Sequence, residues 1–172
     1  MKLGGALTLV LIYLMLAWVF SSYIWPLAIM IAIPFSLVGS VVGHFLFGIE
    51  IGTMSLLAFF TLSGIIVNDS IILMAFVKRS LATGEALKTS LQQGVSARFR
   101  AVVLTSVTTM VGLIPLLFDN STLSLYVVPI AVTLTFGLAV GSVLVLLVIP
   151  ALILFLESLA LRLSTSFTSA AR

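Results

Sequence analysis

Of the 172 residues, 62% are hydrophobic and only 8% charged, and the mean hydropathy is +1.37. A soluble domain of this length needs far more polar surface to cover itself, so the composition fits only an integral membrane protein. The net charge of +3 is then no argument for nucleic acid, and the absence of cysteine excludes disulfides, thiolate metal sites and a thiol nucleophile.

The first apolar run, residues 3–20, is long enough to span, and Trp18, Tyr23 and Trp25 gather at its far end as an interfacial aromatic belt does. Lys2 ahead of this run resembles the start of a secretory signal. No small-residue cleavage site follows before further membrane segments, so the run is expected to stay in the mature protein. Pro26 opens a second span, 26–47, because a proline in the first helical turn gives up only an N–H that would have no partner. Pro34 predicts a kink within it. Gly39 and Gly43 form a small-xxx-small pair that lets another helix approach closely. His44 follows; with no partner near it in sequence, it reads as an interfacial or hydrogen-bonded histidine rather than a proton carrier.

The turn 48–52, with Glu50, leads into a third span, 52–77, in which Gly64 is expected to join the packing glycines. Asn68 and Asp69 interrupt its apolar run. A carboxylate at bilayer depth costs about 2.5 to 3.5 kcal/mol on insertion scales, so such residues face a protein interior and carry function. Asp69 lies nine residues in from Lys78 at the water interface. At a rise of about 1.5 Å per residue this is about 13 Å, close to the bilayer midplane.

Residues 80–100 are the one extended polar stretch. Leu87, Leu91 and Val95 recur every four residues within it, which predicts a short helix lying on the membrane surface. Lys78, Arg79, Lys88, Arg98 and Arg100 supply five of the eight basic residues here, so the positive-inside rule assigns this loop to the cytoplasm. A fourth span, 101–118, carries Thr105, Ser106, Thr108 and Thr109 near its cytoplasmic half. Thr105, Thr108 and Thr109 share one helical face, which Gly112 continues. Membrane threonines ordinarily bond their own backbone, and the stripe gains interest only because a carboxylate elsewhere needs partners. The segment 119–124 is a turn on the opposite side, and no role is assigned to the sequon at Asn120.

The last apolar run, 125–156, exceeds the roughly 20 residues of a perpendicular span and must tilt, bend or emerge from the bilayer. Pro129 and Pro150 mark its expected irregularities, and Gly137 and Gly141 repeat the small-xxx-small spacing. Residues 164–172 read as a flexible polar tail, which Arg162 and Arg172 place with the basic loop. The expectation is an all-α polytopic membrane bundle over residues 1–163, with five transmembrane helices and one short interfacial helix. Its N-terminus is outside and its C-terminus inside.

The runs LAWVFSSYIWPLAIMIAIPFSLVGSVVGHFLFG, LSGIIVNDSIILMAFVKR and SARFRAVVLTSVTTMVGLIPLLF resemble, in order and spacing, the C-terminal membrane portion of resistance-nodulation-division (RND) efflux permeases of the AcrB type. The resemblance covers nearly the whole chain and implies helices eight to twelve of such a permease. It implies a transporter rather than an enzyme, in the bacterial inner membrane, trimeric in the complete pump and working with a periplasmic adaptor and an outer-membrane channel. The energy source is a proton gradient, with no cofactor or metal. The paired aspartates of the family's proton relay and its porter domain belong to portions this chain does not resemble. The partners implied are therefore the remainder of the permease or a second membrane subunit, together with the lipid bilayer.

The resemblance also carries over relay positions. Arg98 and Thr105, in RFRAVVLTS, match the family's relay arginine and threonine, and Asn68 stands where many relatives have a lysine, beside Asp69. Burial disfavours an ionised carboxylate, whereas a neighbouring guanidinium or hydroxyl favours it, and a group held between the two can take up and release protons. Asp69 is thus either a proton carrier or a neutral hydrogen-bonding strut between helices, and Arg98 either its partner or an interfacial anchor. A non-transporting structural or regulatory membrane subunit, or an inactive truncated fragment suggested by Met1 just ahead of the first helix, stands as the alternative function.

Overall fold

The computed structural model describes residues 2–118 and 121–170. They form five helices: α1 (Lys2–Phe20), α2 (Ile24–Phe47), α3 (Thr53–Ala82), α4 (Leu87–Leu117) and α5 (Ser124–Ala170). There is no strand among the described residues. This is the backbone solution a bilayer requires, because a helix satisfies its own N–H and C=O groups where water cannot. Four of the helices, α2 to α5, are long and apolar enough to cross a membrane, and Gly4–Phe20 of α1 is a shorter apolar helix.

Helix α5 is the post around which the others stand, packing on α2, α3 and α4, while α1 touches only α2 and α3. Small residues set the closest approaches. A Cβ on Gly39 would lie 2.7 Å from the carbonyl oxygen of Phe136, and one on Gly43 would lie 2.6 Å from the Phe136 ring. From the other side, a Cβ on Gly137 would meet Leu62 and Ser40, and one on Gly141 would meet Ile66 and Ser36. Without side chains at these four positions the backbones close up, and van der Waals contact replaces the hydrophobic effect that lipid cannot supply. Ser40 adds a bond across the same interface, its hydroxyl donating to the Thr133 carbonyl at 2.8 Å. Gly64 departs from expectation. A Cβ there would meet nothing within 4 Å, so no close packing of the described residues depends on it.

His44 is buried between α2 and α3. Its Nδ1 donates to the Ser40 carbonyl at 2.9 Å, and its Nε2 lies 2.8 Å from the Ser55 hydroxyl. A carbonyl can only accept, so Nδ1 carries the proton, and in the neutral ring Nε2 accepts from Ser55. One turn later Gly48 ends α2 with φ 64°, a left-handed conformation natural to glycine, and the Ile49 N–H returns to the His44 carbonyl at 3.0 Å.

One expectation changes. The surface helix predicted within 80–100 is not a separate element: α3 runs to Ala82, residues 83–86 form the turn, and α4 continues from Leu87 to Leu117 without interruption. From Gln93 to Ile114 the only poor helix formers of the Gly/Pro kind are Gly94 and Gly112, and Gly94 is used for packing. A Cβ on it would stand 3.0 Å from Val77 and 3.2 Å from Phe76, which puts the first turns of α4 directly on α3. Leu91 is accordingly buried, and Leu87 and Val95 pack against the core, so the four-residue repeat marks a helix-helix seam. Pro34, Pro129 and Pro150 lie inside helices that each run through as one element. The α5 backbone is helical to Ala170. Ala171 and Arg172 of the expected tail lie outside the described residues, as do Asp119 and Asn120 of the α4–α5 turn.

Candidate functional site

Helical spacing places Ile65, Asn68, Asp69 and Ile72 on one face of α3, and Arg98, Ala101, Val102, Thr105 and Thr109 on one face of α4. The close approach at Gly94 turns these faces toward each other. Two cavities lie between them. One, of about 150 Å³, is lined by Asn68, Asp69, Ile72, Arg98, Ala101, Val102 and Thr105. The other, of about 180 Å³, is lined by Ile65, Asn68, Asp69, Thr105, Ser106, Thr109 and Leu138.

Asn68, Asp69 and Thr105 line both cavities, Arg98 lines only the first, and Ser106 and Thr109 only the second. The structure therefore brings Asp69, Asn68, Arg98 and Thr105 to one place, with Asp69 at the junction of two compartments. At about 30 Å³ per water in the liquid, each compartment has room for several water molecules.

The polar atoms here are held in readiness rather than used up. Among the described residues, the side chains of Asn68, Asp69 and Arg98 form no hydrogen bond or ion pair within the chain. The threonines bond their own helix: Thr105 donates to the Ala101 and Val102 carbonyls at 3.0 Å, and Thr109 to the Thr105 carbonyl at 2.8 Å. Their hydroxyl oxygens keep lone pairs with which to accept. Thr108, counted with this face in the sequence, bonds Leu104 and Thr105 and lines neither cavity. Gly112 lines neither as well.

The cleft is open on one side. Asn68, Thr105 and Thr109 are exposed, and Asp69 and Arg98 half-buried. Helix α4 buries only Ser90, Leu91, Gly94, Val102 and Ser106. Its outer surface presents Phe99, Val103, Leu104, Val107, Val111 and Ile114. A carboxylate and a guanidinium exposed to hydrocarbon are costly, so this face calls for further protein. A larger cavity of about 820 Å³, lined by Phe47, Glu50, Thr53 and Tyr126 among others, lies by the α2–α3 and α4–α5 turns. It gathers a single carboxylate, and the convergence of ionisable and hydroxyl groups is at Asp69.

Ser106 is the site residue the sequence grouping passed over. It stands eight residues after Arg98 and four after Val102, a spacing that puts it on the face turned toward α3 and α5. That spacing was the signal available; grouping it with the threonines hid it.

Comparison with known proteins adds a lineage to this geometry. The family model for AcrB/AcrD/AcrF matches residues 2–157. The multidrug resistance protein MdtC of Klebsiella pneumoniae (strain 342) is 27% identical over 154 residues, which are 89% of this chain and 15% of that protein. The swarming motility protein SwrC of Bacillus subtilis (strain 168) is 30% identical over 152 residues, 87% of this chain and 14% of that protein. A crystal structure of a heavy metal efflux pump superposes with a TM-score of 0.77 at 27% identity, covering 87% of this chain and 15% of that one. The chain thus spans about 15% of the length of these relatives.

Proposed function

The chain belongs to the AcrB/AcrD/AcrF family of RND efflux permeases, and from that premise we propose that it is the proton-coupling membrane part of an efflux transporter for amphiphilic compounds. The observation that carries the proposal is the meeting of Asp69, Asn68, Arg98 and Thr105 around two cavities that share Asn68, Asp69 and Thr105 in their walls. In this reading Asp69 takes up a proton from one compartment and releases it to the other. Arg98 stabilises the carboxylate state by its charge, and Thr105 and Asn68 offer hydrogen bonds at the junction. The protein is a transporter rather than an enzyme. It draws on the proton gradient of the bacterial inner membrane and needs no cofactor or metal.

The open α3–α4 face supports a further part of the proposal: the working unit includes the remainder of a permease, either covalently continuous or as a second membrane subunit. That remainder supplies the porter domain and the opposing relay aspartates, and the complete pump is a trimer serving a periplasmic adaptor and an outer-membrane channel. The N-terminus is periplasmic and the C-terminus cytoplasmic, because the basic residues cluster at the α3–α4 turn.

The test is a pair of substitutions at Asp69 in the complete pump reconstituted in vesicles. Asp69→Asn keeps shape and hydrogen bonding but cannot exchange a proton near neutral pH, so it is expected to abolish proton-driven transport while insertion and assembly persist. Asp69→Leu is expected to abolish transport as well. Near-normal transport by the Asn variant, with loss only in the Leu variant, would mean that Asp69 is a neutral strut and that coupling resides elsewhere.

A further inference from the structure

The hydroxyl of Ser106 is an exception among the side chains around it. On α3 the Ser63 hydroxyl donates to the Phe59 carbonyl and that of Ser70 to the Ile66 carbonyl; on α4 the threonines at 105, 108 and 109 all donate to carbonyls of their own helix. Ser106 is 2% exposed, and its Oγ has no partner. A buried hydroxyl without a partner is costly, and a helical serine has a ready remedy in the carbonyl one turn back. Ser106 leaves that bond unmade and lines the cavity of about 180 Å³ that Asp69 also lines. Two other buried hydroxyls, on Ser90 and Thr135, also lack a partner, but neither residue lines a cavity reaching Asp69.

A polar, roomy cavity with an unpartnered buried hydroxyl is where a structural water belongs, since such waters bond otherwise unsatisfied polar groups. The remaining acceptors and donors in this compartment are the Asp69 carboxylate, the Asn68 amide and the hydroxyl oxygens of Thr105 and Thr109. No basic side chain lines it; the guanidinium of Arg98 belongs to the other compartment. The two sides of Asp69 therefore differ in kind. One is solvated by a fixed positive charge and the other by neutral hydroxyls and water.

We propose that Ser106 is a positioning residue that holds the water through which a proton reaches Asp69 on the side away from the basic residues. That water passes one of its protons to a carboxylate oxygen, giving the carboxylic acid, as it takes up another from the solvent beyond it; the acid then releases its proton to water in the compartment lined by Arg98, which restores the carboxylate. Ser106 itself only donates and accepts hydrogen bonds and ends each cycle unchanged. The proposal rests on Asp69 being the proton carrier.

The test uses the complete pump in vesicles with an imposed proton gradient. Ser106→Ala is expected to lower the transport rate per assembled pump about tenfold, the loss that removing one hydrogen bond of ordinary strength produces. The solvent deuterium isotope effect should rise, substrate binding should not change, and Ser106→Thr should restore the rate by returning a hydroxyl. A purely structural serine would lower the amount of assembled pump and leave the rate and isotope effect of the assembled fraction alone.

Two controls separate the failures. If Asp69→Asn is inactive while Ser106→Ala keeps the normal rate and isotope effect, the Ser106 proposal falls and the Asp69 reading stands. Full activity in Asp69→Asn removes both. Because the chain contains no cysteine, Ser106→Cys in a pump otherwise free of cysteine gives an independent measurement. A small water-soluble thiol reagent should modify it, because only a thiolate in contact with water reacts, and should leave Thr135→Cys untouched. No modification at position 106 would mean that the cavity is dry and would overturn the proposal, even where Ser106→Ala fails to assemble.

Discussion

The ammonium group of Lys78 donates to the carbonyl oxygen of Phe20 over 3.1 Å. Phe20 is the last residue of α1, so a cation satisfies one of the carbonyls a helix C-terminus leaves without a partner and meets the negative end of its dipole. The bond also fixes a level. The ends of α1 and α3 lie at one face of the bundle, the starts of α2 and α4 lie there too, and the aromatic residues Trp18, Tyr23 and Trp25 share that face with Lys78, Arg79 and Lys88.

This common level makes topology the first prediction. A reporter fused at Gly84 in the α3–α4 turn is expected to be active only as a cytoplasmic fusion, and one at Thr122 in the α4–α5 turn only as a periplasmic one. A reporter at Gly84 that is active outside the cytoplasm would reverse every helix of the bundle. The expected arrangement requires opposite results at the two sites.

Packing supplies a second. Gly39→Ala would place a methyl group 2.7 Å from the Phe136 carbonyl oxygen, a backbone atom that cannot rotate away. The expected cost is about 1 to 3 kcal/mol, the range for overpacked cores, seen as a lower thermal midpoint in detergent. Gly64→Ala meets open space and should be neutral, or stabilising by about 0.5 to 1 kcal/mol through helix propensity. Equal destabilisation by the two substitutions would contradict the packing of α2 on α5 described above.

A third concerns His44. The ring links the Ser40 carbonyl to the Ser55 hydroxyl, and so α2 to α3. Ser55→Ala should destabilise the bundle by about 1 kcal/mol, and His44→Phe by more, because the larger change also disturbs packing against Phe59. Side chains in direct contact do not act independently, so the double variant should lose less than the two single losses added together. Strict additivity in unfolding measurements would show that the bond contributes nothing.

The apolar spans were legible because the bilayer imposes a length and a composition on them, and Asp69 was legible because a carboxylate is conspicuous in such a run. Gly39, Gly43, Gly137 and Gly141 stood out by spacing alone, yet spacing cannot say which helix approaches. Gly64 sits in a similarly apolar run, yet a Cβ on it would meet nothing within 4 Å. The stretch Leu87 to Arg100 misled for a physical reason. An apolar residue every fourth position marks one wet and one dry face, and the dry face can rest on lipid or on another helix with the same pattern. Gly94 decides between them here, because its missing side chain admits α3. Ser106 was hidden because hydroxyls in membrane helices usually bond their own backbone, and which of them does not depends on how the helices pack.

Gly94 therefore carries the last prediction. It sits at the seam that turns the Arg98 face of α4 toward the Asp69 face of α3, with Val77, Phe76 and Leu73 within 3.5 Å of where a Cβ would be. Gly94→Ala adds one methyl group against flexible side-chain ends, which can yield by a few tenths of an ångström, and should be tolerated. Gly94→Val adds two more methyl groups at the same point and must push the start of α4 away from α3. Arg98 lies one turn beyond, so the displacement reaches the cavity it lines with Asp69. Misplacing a reacting group by about 1 Å can cost about a hundredfold in rate. Gly94→Val in the complete pump should accordingly lose proton-driven transport by up to about that factor while still inserting and assembling, since the α2–α5 contacts are untouched. Transport at the normal rate in an assembled Gly94→Val pump would show that the α3–α4 spacing is irrelevant to coupling. Loss of assembly in place of transport would show instead that the seam holds the bundle together and does not merely align its two polar faces.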